Sequence, residues 1–195
     1  MSLHLTTFEG GNALSDFRIA QLLPRLAVIS SQIVGISARF VHLVATVAPL
    51  ADTPYNTLAA LLTYGEPYTG PSQGPTLVVS PRLGTVSPWA SKATDIARNC
   101  GIDLRRVERL TEYRLVLKSP LLGNAKLSAE QWAQVAAILH DRMTESAMPS
   151  RADAAALFTA IEPAPMAHVD VLGGGSCGLD PGQHRLGPGA GRRRD

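Results

Sequence analysis

Apolar, β-branched runs of strand length alternate along this chain with amphipathic runs that carry helix-start and helix-stop residues. The spacing predicts strands over 36–47, 76–80, 107–119 and 168–172. It predicts helices over 13–28, 53–64, 88–100, 129–143 and 151–159. The strand over 107–119 has one polar face, which is typical of antiparallel sheets. The pattern therefore favours an α+β fold in which helices cover one face of a mostly antiparallel sheet, with a doubly wound parallel sheet as the alternative.

Several helix boundaries can be predicted from single residues. Ser87 suits an N-cap, Pro88 the first helical position and Gly101 the residue past the helix end. Residues 128–131 form a capping box, whereas Pro24 is expected to kink the first helix or end it early. Asp52 and Thr53 are expected to cap the second helix, which Gly65 should stop. The helix over 88–100 is predicted to bury one stripe of residues, with Cys100 as a core thiol: Trp89, Ala93, Ile96, Ala97 and Cys100. The helix over 129–143 is predicted to bury another: Trp132, Val135, Ala136, Leu139 and Met143.

The charge balance argues against partners that are attracted by long-range electrostatics. The 195 residues carry a formal net charge of +2, and residues 1–175 contain equal numbers of basic and acidic side chains. We therefore expect neither nucleic acid nor a membrane surface as a partner. Cys100 and Cys177 form neither a disulfide framework nor a CxxC pair, which predicts a reduced, cytoplasmic protein.

The loop that enters the helix at Ser87 is the one candidate binding site in the sequence. Arg82 offers a guanidinium, Thr85 and Ser87 offer hydroxyls, and a helix N-terminus attracts anions. Together with Lys92, these residues could contact a phosphate or a carboxylate. The alternative is a well-capped helix whose hydroxyls serve only the backbone, with Lys92 exposed and weakly paired to Asp95.

The sequence shows no complete catalytic apparatus. Its five histidines are scattered without the spacing of a metal site, and no nucleophile motif, phosphate loop or acidic metal cluster is present. We therefore predict no catalytic residue, no metal ligand and no cofactor-binding residue in this chain.

The segment 81–97, Pro-Arg-Leu-Gly-Thr followed by Ser-Pro-Trp-Ala-Ser-Lys-Ala-Thr-Asp-Ile-Ala, resembles the N-terminal region of the large, single-chain form of phosphoribosylformylglycinamidine synthase. Four flanking blocks resemble the same region in the same order, at 13–18, 40–42, 61–65 and 139–145, and a fifth lies at 169–173. The likeness covers roughly residues 10–175. Ala90 stands where a serine is usual in the motif.

This resemblance implies a PurS-like structural domain, with ferredoxin-like layering, over residues 1–147 and the start of a linker over 148–175. It implies an enzyme of purine synthesis that uses ATP and glutamine to amidate formylglycinamide ribonucleotide. The ATP and magnesium site and the glutaminase triad would belong to domains further along a longer chain, so this chain alone is expected to be inactive. Its expected partners are the synthetase and glutaminase domains of the same enzyme. The alternatives are a free-standing interaction module that assembles synthetase subunits and an independent phosphate-binding enzyme.

Residues 176–195 differ in character from the rest of the chain. They are rich in glycine and proline and end in an arginine run, which predicts an unstructured tail. The family continues at this point as a helical linker. A shifted reading frame in GC-rich codons would explain the difference, and genomic sequencing of this region tests that hypothesis.

Overall fold

A computed structural model describes residues 3–118 and 126–159 of the chain. The described elements are five strands, four α-helices and one 3-10 helix. The strands are β1 (His4–Asn12), β2 (Ile33–Thr46), β3 (Thr76–Pro81), β4 (Arg106–Leu117) and β5 (Glu145–Met148). The helices are α1 (Asp16–Ile29), α2 (Asp52–Leu62), α3 (Pro88–Asn99), α4 (Ala129–Leu139) and the 3-10 helix Ala152–Phe158. No helix among these residues is long and apolar enough to cross a lipid bilayer.

The five strands form one sheet in the order β1-β2-β4-β3-β5, and every neighbouring pair is antiparallel. The α+β prediction is thereby confirmed, and the doubly wound parallel alternative is wrong. The longest pairing joins β2 to β4, from Ile33 opposite Leu117 to Ala45 opposite Arg106. These two strands carry Phe40, Arg109 and Thr111, which line the candidate site.

The four α-helices lie on one face of the sheet. Helices α1 and α4 pack with Ile36 and Ala38 of β2 and Leu115 of β4 in one apolar cluster. Helices α2 and α3 pack with Val44 of β2 and Val107 of β4 in another. Because side chains alternate between faces along a strand, the residues of β2 and β4 between these clusters face the same side and lie between the two helix pairs.

The opposite face of the sheet is covered by the 3-10 helix. Leu157 and Phe158 of this helix pack against Val41 and Leu43 of β2 and Leu110 of β4. Beside this apolar cluster lies a group of charged side chains, which we call the arginine–glutamate cluster. Its members are Glu9, Arg39, Glu112, Arg114 and Arg151. The guanidinium of Arg151 contacts both carboxylates of the cluster and so fastens the start of the 3-10 helix to the sheet.

Helix α1 runs through Pro24 and ends at Ile29, so the expectation that proline would end it early is wrong. Proline removes the hydrogen bond to the carbonyl of Ala20. Both Pro24 and Ala20 are exposed, where water can serve that carbonyl. The burial of Leu22 and Leu26 on the inner face stabilises the helix on both sides of the interruption.

The caps of α3 and α4 are confirmed. Ser87 accepts a hydrogen bond from the Ala90 N–H at 3.0 Å, and Ser128 forms the full capping box with Gln131. The expected cap of α2 is wrong, because Ala51 occupies its N-cap without a side-chain hydrogen bond and Asp52 lies in the first turn. That helix ends at Leu62, before Gly65.

The predicted buried stripe of α3 is confirmed for Ala97, which is buried, and for Trp89 and Ala93, which pack against the cluster, and it is wrong for Ile96 and Cys100. The buried residues are Ala90, Thr94 and Ala97, whereas Ile96 and Cys100 are exposed. Alanine at two successive turns lets the helix lie close to the sheet, and the Thr94 hydroxyl accepts a hydrogen bond from the Val107 N–H of β4 at 3.0 Å. This contact fixes the rotation of α3.

Two further differences concern sheet edges and the end of α4. The helix ends at Leu139, and Met143 is 77% exposed in the following turn instead of buried on the helix. Strands β1 and β5 lie at the two edges of the sheet and were not predicted. The predicted strand 168–172 and the tail 176–195 lie outside the described residues.

Candidate functional site

A groove opens between the two helix pairs on the helix-covered face of the sheet. Its volume is about 490 Å³, within the range of small-molecule sites. The floor is formed by Phe40 of β2, Val79 of β3 and Arg109 and Thr111 of β4. The groove therefore occupies the position where the sheet is left uncovered between α1 and α4 on one side and α2 and α3 on the other.

One wall of the groove is the loop that sequence analysis selected as the candidate site. Arg82, Thr85 and Ser87 all line it. The Arg82 N–H donates to the Thr144 carbonyl at 2.9 Å, which anchors the loop to the turn before β5. Gly84 has a φ of +79°, a backbone conformation that favours glycine. The loop is thus held in shape by its neighbours and its own turn.

Two hydroxyls, one on this wall and one in the first turn of α3, donate to backbone carbonyls. Thr85 Oγ1 donates to the Arg82 carbonyl at 2.6 Å, and Ser91 Oγ donates to the Ser87 carbonyl at 3.3 Å. Ser87 Oγ is the acceptor in its cap bond, so its hydrogen remains available to a second acceptor. The guanidinium of Arg82 is exposed at the rim.

Lys92 is not part of this groove. It lies in a second, apolar groove of about 290 Å³ between α2 and α3, on the other side of Trp89. The structure therefore brings three of the four predicted contact residues together and places the fourth elsewhere. The apolar lining beside Lys92 includes Leu61 and Ile96, which are 38% and 53% exposed.

Arg109 is the feature of the main groove that sequence analysis missed. Its guanidinium carbon lies 4.5 Å from the centre of the Phe40 ring and 4.7 Å from the Trp89 ring. An arginine held over aromatic faces is stabilised by their quadrupoles. One of its nitrogens, Nη1, donates to Tyr64 Oη at 3.4 Å. The alternation of residues along β4 predicts only the face on which Arg109 lies. Its role is indicated by contacts with aromatic rings from other elements, which the sequence does not show.

A buried histidine completes this arrangement. His42 is fully buried and stacks on Trp89, with the ring centres 5.4 Å apart. Its Nε2 lies 2.8 Å from Tyr64 Oη. Burial, followed by the positive charge of Arg109, lowers the pKa of His42 to about 4. The imidazole is therefore neutral at physiological pH and can accept the Tyr64 hydroxyl hydrogen.

The groove contains one carboxylate as well as two guanidinium groups. Glu145 lies at its edge, and its Oε2 accepts a hydrogen bond from the Asp141 N–H at 2.9 Å. Within residues 3–118 and 126–159 no group of three or more histidine, cysteine, aspartate or glutamate side chains could hold a metal ion. The guanidinium groups of Arg82 and Arg109 in the lining suit an anion.

The sequence matches the model of a known family. The family model described as formylglycinamide ribonucleotide amidotransferase N-terminal matches residues 39–158. This range begins within β2 and ends with the 3-10 helix, so it covers more than half of the chain and every residue of the groove. The resemblance noted from the motif at 81–97 is confirmed.

Proposed function

The chain belongs to the formylglycinamide ribonucleotide amidotransferase N-terminal family, and we propose that it serves as the structural N-terminal domain of an enzyme that amidates this ribonucleotide with ATP and glutamine. In this role the domain packs beside a synthetase domain and contributes the wall of the substrate site. The observation that carries the proposal is that the whole groove, from Phe40 to Glu145, lies inside the matched range.

The chemistry of the groove suits a ribonucleotide. Such a substrate carries a phosphate, which arginine binds through its planar fork, and ribose hydroxyls, which can donate to a carboxylate. Arg82 supplies a guanidinium at the rim, Thr85 and Ser87 line the same wall, and Glu145 supplies a carboxylate. We propose that Arg82, Thr85 and Ser87 contact the substrate phosphate, Thr85 by turning its hydroxyl away from the Arg82 carbonyl. Lys92, from its position in the apolar groove, would contact the neighbouring domain instead.

We propose that catalysis itself requires other domains. ATP and magnesium would bind in the synthetase domain, and glutamine would be hydrolysed in the glutaminase domain, with this domain as their structural partner. The domain alone should therefore not form the amidine.

A reconstitution experiment tests this proposal. Synthetase and glutaminase domains of a family member, prepared without their own N-terminal domain, are assayed for ATP- and glutamine-dependent amidation with and without this chain. We expect no product from the chain alone and a clear gain of turnover when it is added. Turnover by the purified chain, or no gain on mixing, contradicts the proposal.

The apolar groove favours a second candidate, a free-standing interaction module that assembles synthetase subunits. Leu61 and Ile96 present apolar surface around Lys92, and such surface often binds a partner. This candidate predicts co-purification with separate synthetase and glutaminase chains and no effect on the KM for the ribonucleotide. A single reading frame that continues into a synthetase favours the first candidate.

A further inference from the structure

Arg109 differs from the other arginines of the described residues that are not exposed. There are five of these, and four of them, Arg39, Arg106, Arg114 and Arg151, lie within 4 Å of a carboxylate. Arg109 pairs with no carboxylate within that part of the chain. A half-buried charge without a counter-ion is costly in free energy. The presence of an unpaired arginine at this position therefore needs an explanation.

The surroundings of Arg109 hold its guanidinium without neutralising it. Phe40 and Trp89 lie against it at 4.5 and 4.7 Å, and the Tyr64 hydroxyl accepts one of its hydrogens. Tyr64 Oη can then donate its own hydrogen to Nε2 of His42, 2.8 Å away. Hydrogen-bond distances thus link the fully buried histidine, the Tyr64 hydroxyl and the guanidinium, with His42 Nδ1 left without a partner among the described residues.

The remaining donors of Arg109 are free for an anion. A guanidinium carries five N–H donors, and its one side-chain hydrogen bond within the described residues goes to Tyr64. These donors line the same groove as Arg82. The groove therefore presents two guanidinium groups from different elements, one rigid on the sheet and one exposed on the loop.

We propose that Arg109 binds the phosphate of the ribonucleotide substrate, and that Tyr64 and His42 are positioning residues that orient its guanidinium. This inference rests on the proposed function and adds to it a residue and a positioning pair. The phosphate would lie between Arg109 and Arg82, with Trp89 beside it. A carboxylate of the neighbouring synthetase domain is the competing anion, and the test separates the two.

The test uses the reconstituted enzyme with variants of this chain. We expect Arg109→Ala to raise the KM for the ribonucleotide tenfold or more with little change in kcat, since a phosphate contact contributes mainly to binding. Arg109→Lys, which keeps a charge but not the planar fork, should raise it by about threefold. Free guanidinium ion should partly restore the Arg109→Ala variant. Arg25→Ala, which removes an exposed guanidinium on α1, is the matched control and should have no effect.

The positioning role is tested by a double substitution. Tyr64→Phe should raise the KM about threefold in the wild-type chain and leave it unchanged in the Arg109→Ala chain, because Tyr64 acts only through Arg109. Additive effects of the two changes would overturn the positioning role. Far-UV circular dichroism of each variant confirms that the fold is retained.

Three outcomes are distinguishable. If the wild-type chain gives no gain of turnover, the proposed function fails. If it gives the gain and Arg109→Ala leaves the KM unchanged, the inference about Arg109 fails while the function stands. If Arg109→Ala instead weakens the affinity between the chain and the synthetase domain, at unchanged KM, Arg109 binds a carboxylate of that domain and the phosphate assignment is overturned.

Discussion

The arginines on the two faces of the sheet differ in whether they contact carboxylates. On the face covered by the 3-10 helix, Arg39, Arg114 and Arg151 share the carboxylate of Glu112, and two of them also contact Glu9. On the helix-covered face, Arg109 lies between aromatic rings with no carboxylate partner within the described residues. The two faces are separated only by the thickness of one sheet.

This difference separates a structural use of charge from a binding use. Arginines that share the buried carboxylate of Glu112 and the exposed one of Glu9 stabilise the position of an element, here the 3-10 helix. An arginine that is oriented but not neutralised keeps its donors for a ligand. Substitutions on each face of the sheet test this contrast.

Removing the shared carboxylate should be the most damaging single change. Glu112→Gln leaves three guanidinium groups next to each other at a buried position, and breaking a buried ion pair costs about 3–5 kcal/mol. Urea denaturation should show a loss of that size in the free energy of unfolding. Glu66→Gln, at an exposed loop residue, is the control, and a loss below about 1 kcal/mol for Glu112→Gln would contradict a structural role.

The two faces should also respond oppositely to pH. Burial raises the pKa of Glu108, on the 3-10 helix side, from 4.5 to about 7, although Arg106 lowers it. The folded state therefore holds this proton more tightly, so stability falls as pH rises from about 4.5 to 7. His42 has the opposite sign: because its pKa drops from 6.5 to about 4, stability falls as pH falls from 6.5 to 4. Each contribution is on the order of 3 kcal/mol.

Single substitutions separate the pH dependence of stability caused by Glu108 from that caused by His42. In Glu108→Gln the free energy of unfolding should rise steadily between pH 4 and 6.5, and in His42→Gln it should fall between pH 4.5 and 7. The wild-type chain should be flatter than either variant where the two ranges overlap. Urea denaturation at four pH values measures all three, and parallel profiles would show that neither group is perturbed as described.

Arginine substitutions compare the faces directly. Arg151→Ala leaves Glu112 with two other arginines, so we expect a loss of about 2 kcal/mol, below the range for a fully broken buried pair. Arg109→Ala removes contacts with two rings and should cost only about 1 kcal/mol. Thermal unfolding of both variants gives the comparison. A larger loss for Arg109→Ala than for Arg151→Ala would reverse the distinction between the faces.

Loss of the Tyr64 hydroxyl should destabilise the fold only slightly. Tyr64→Phe leaves Nε2 of buried His42 without its partner, at a cost of about 1 kcal/mol. Tyr55→Phe, at a tyrosine with no recorded side-chain hydrogen bond in the described structure, serves as the control. Equal stabilities of the two variants would show that the Tyr64–His42 hydrogen bond is not formed.

Sequence patterns predicted the central elements because their signals are local. Caps such as Ser87 and Ser128 satisfy backbone groups within three residues. Strand β2 carries a long apolar run, and β4 alternates between polar and apolar residues near its end. Edge strands give no such signal. Strand β1, His-Leu-Thr-Thr-Phe-Glu-Gly-Gly-Asn, is mostly polar and is defined by its pairing with β2, a contact between residues that are distant in sequence.

The same limit explains the site. The loop carrying Arg82, Thr85 and Ser87 was found because it adjoins a marked helix start, and their role as substrate contacts stays a prediction. Arg109 was not found because its role depends on contacts with Phe40 and Trp89. The three residues belong to three different elements, β4, β2 and α3, and meet only in the folded chain. The misplaced stripe of α3 has a related cause, since the rotation of a helix depends on what it packs against.

The position of Trp89 beside Arg109 gives this surface an intrinsic optical reporter. The chain contains two tryptophans, and the other, Trp132, packs against the separate cluster beneath α1 and α4. A Trp132→Phe chain would therefore emit only from the groove wall. Its fluorescence would follow the arrival of a nucleotide or of a neighbouring domain in real time, without an attached dye.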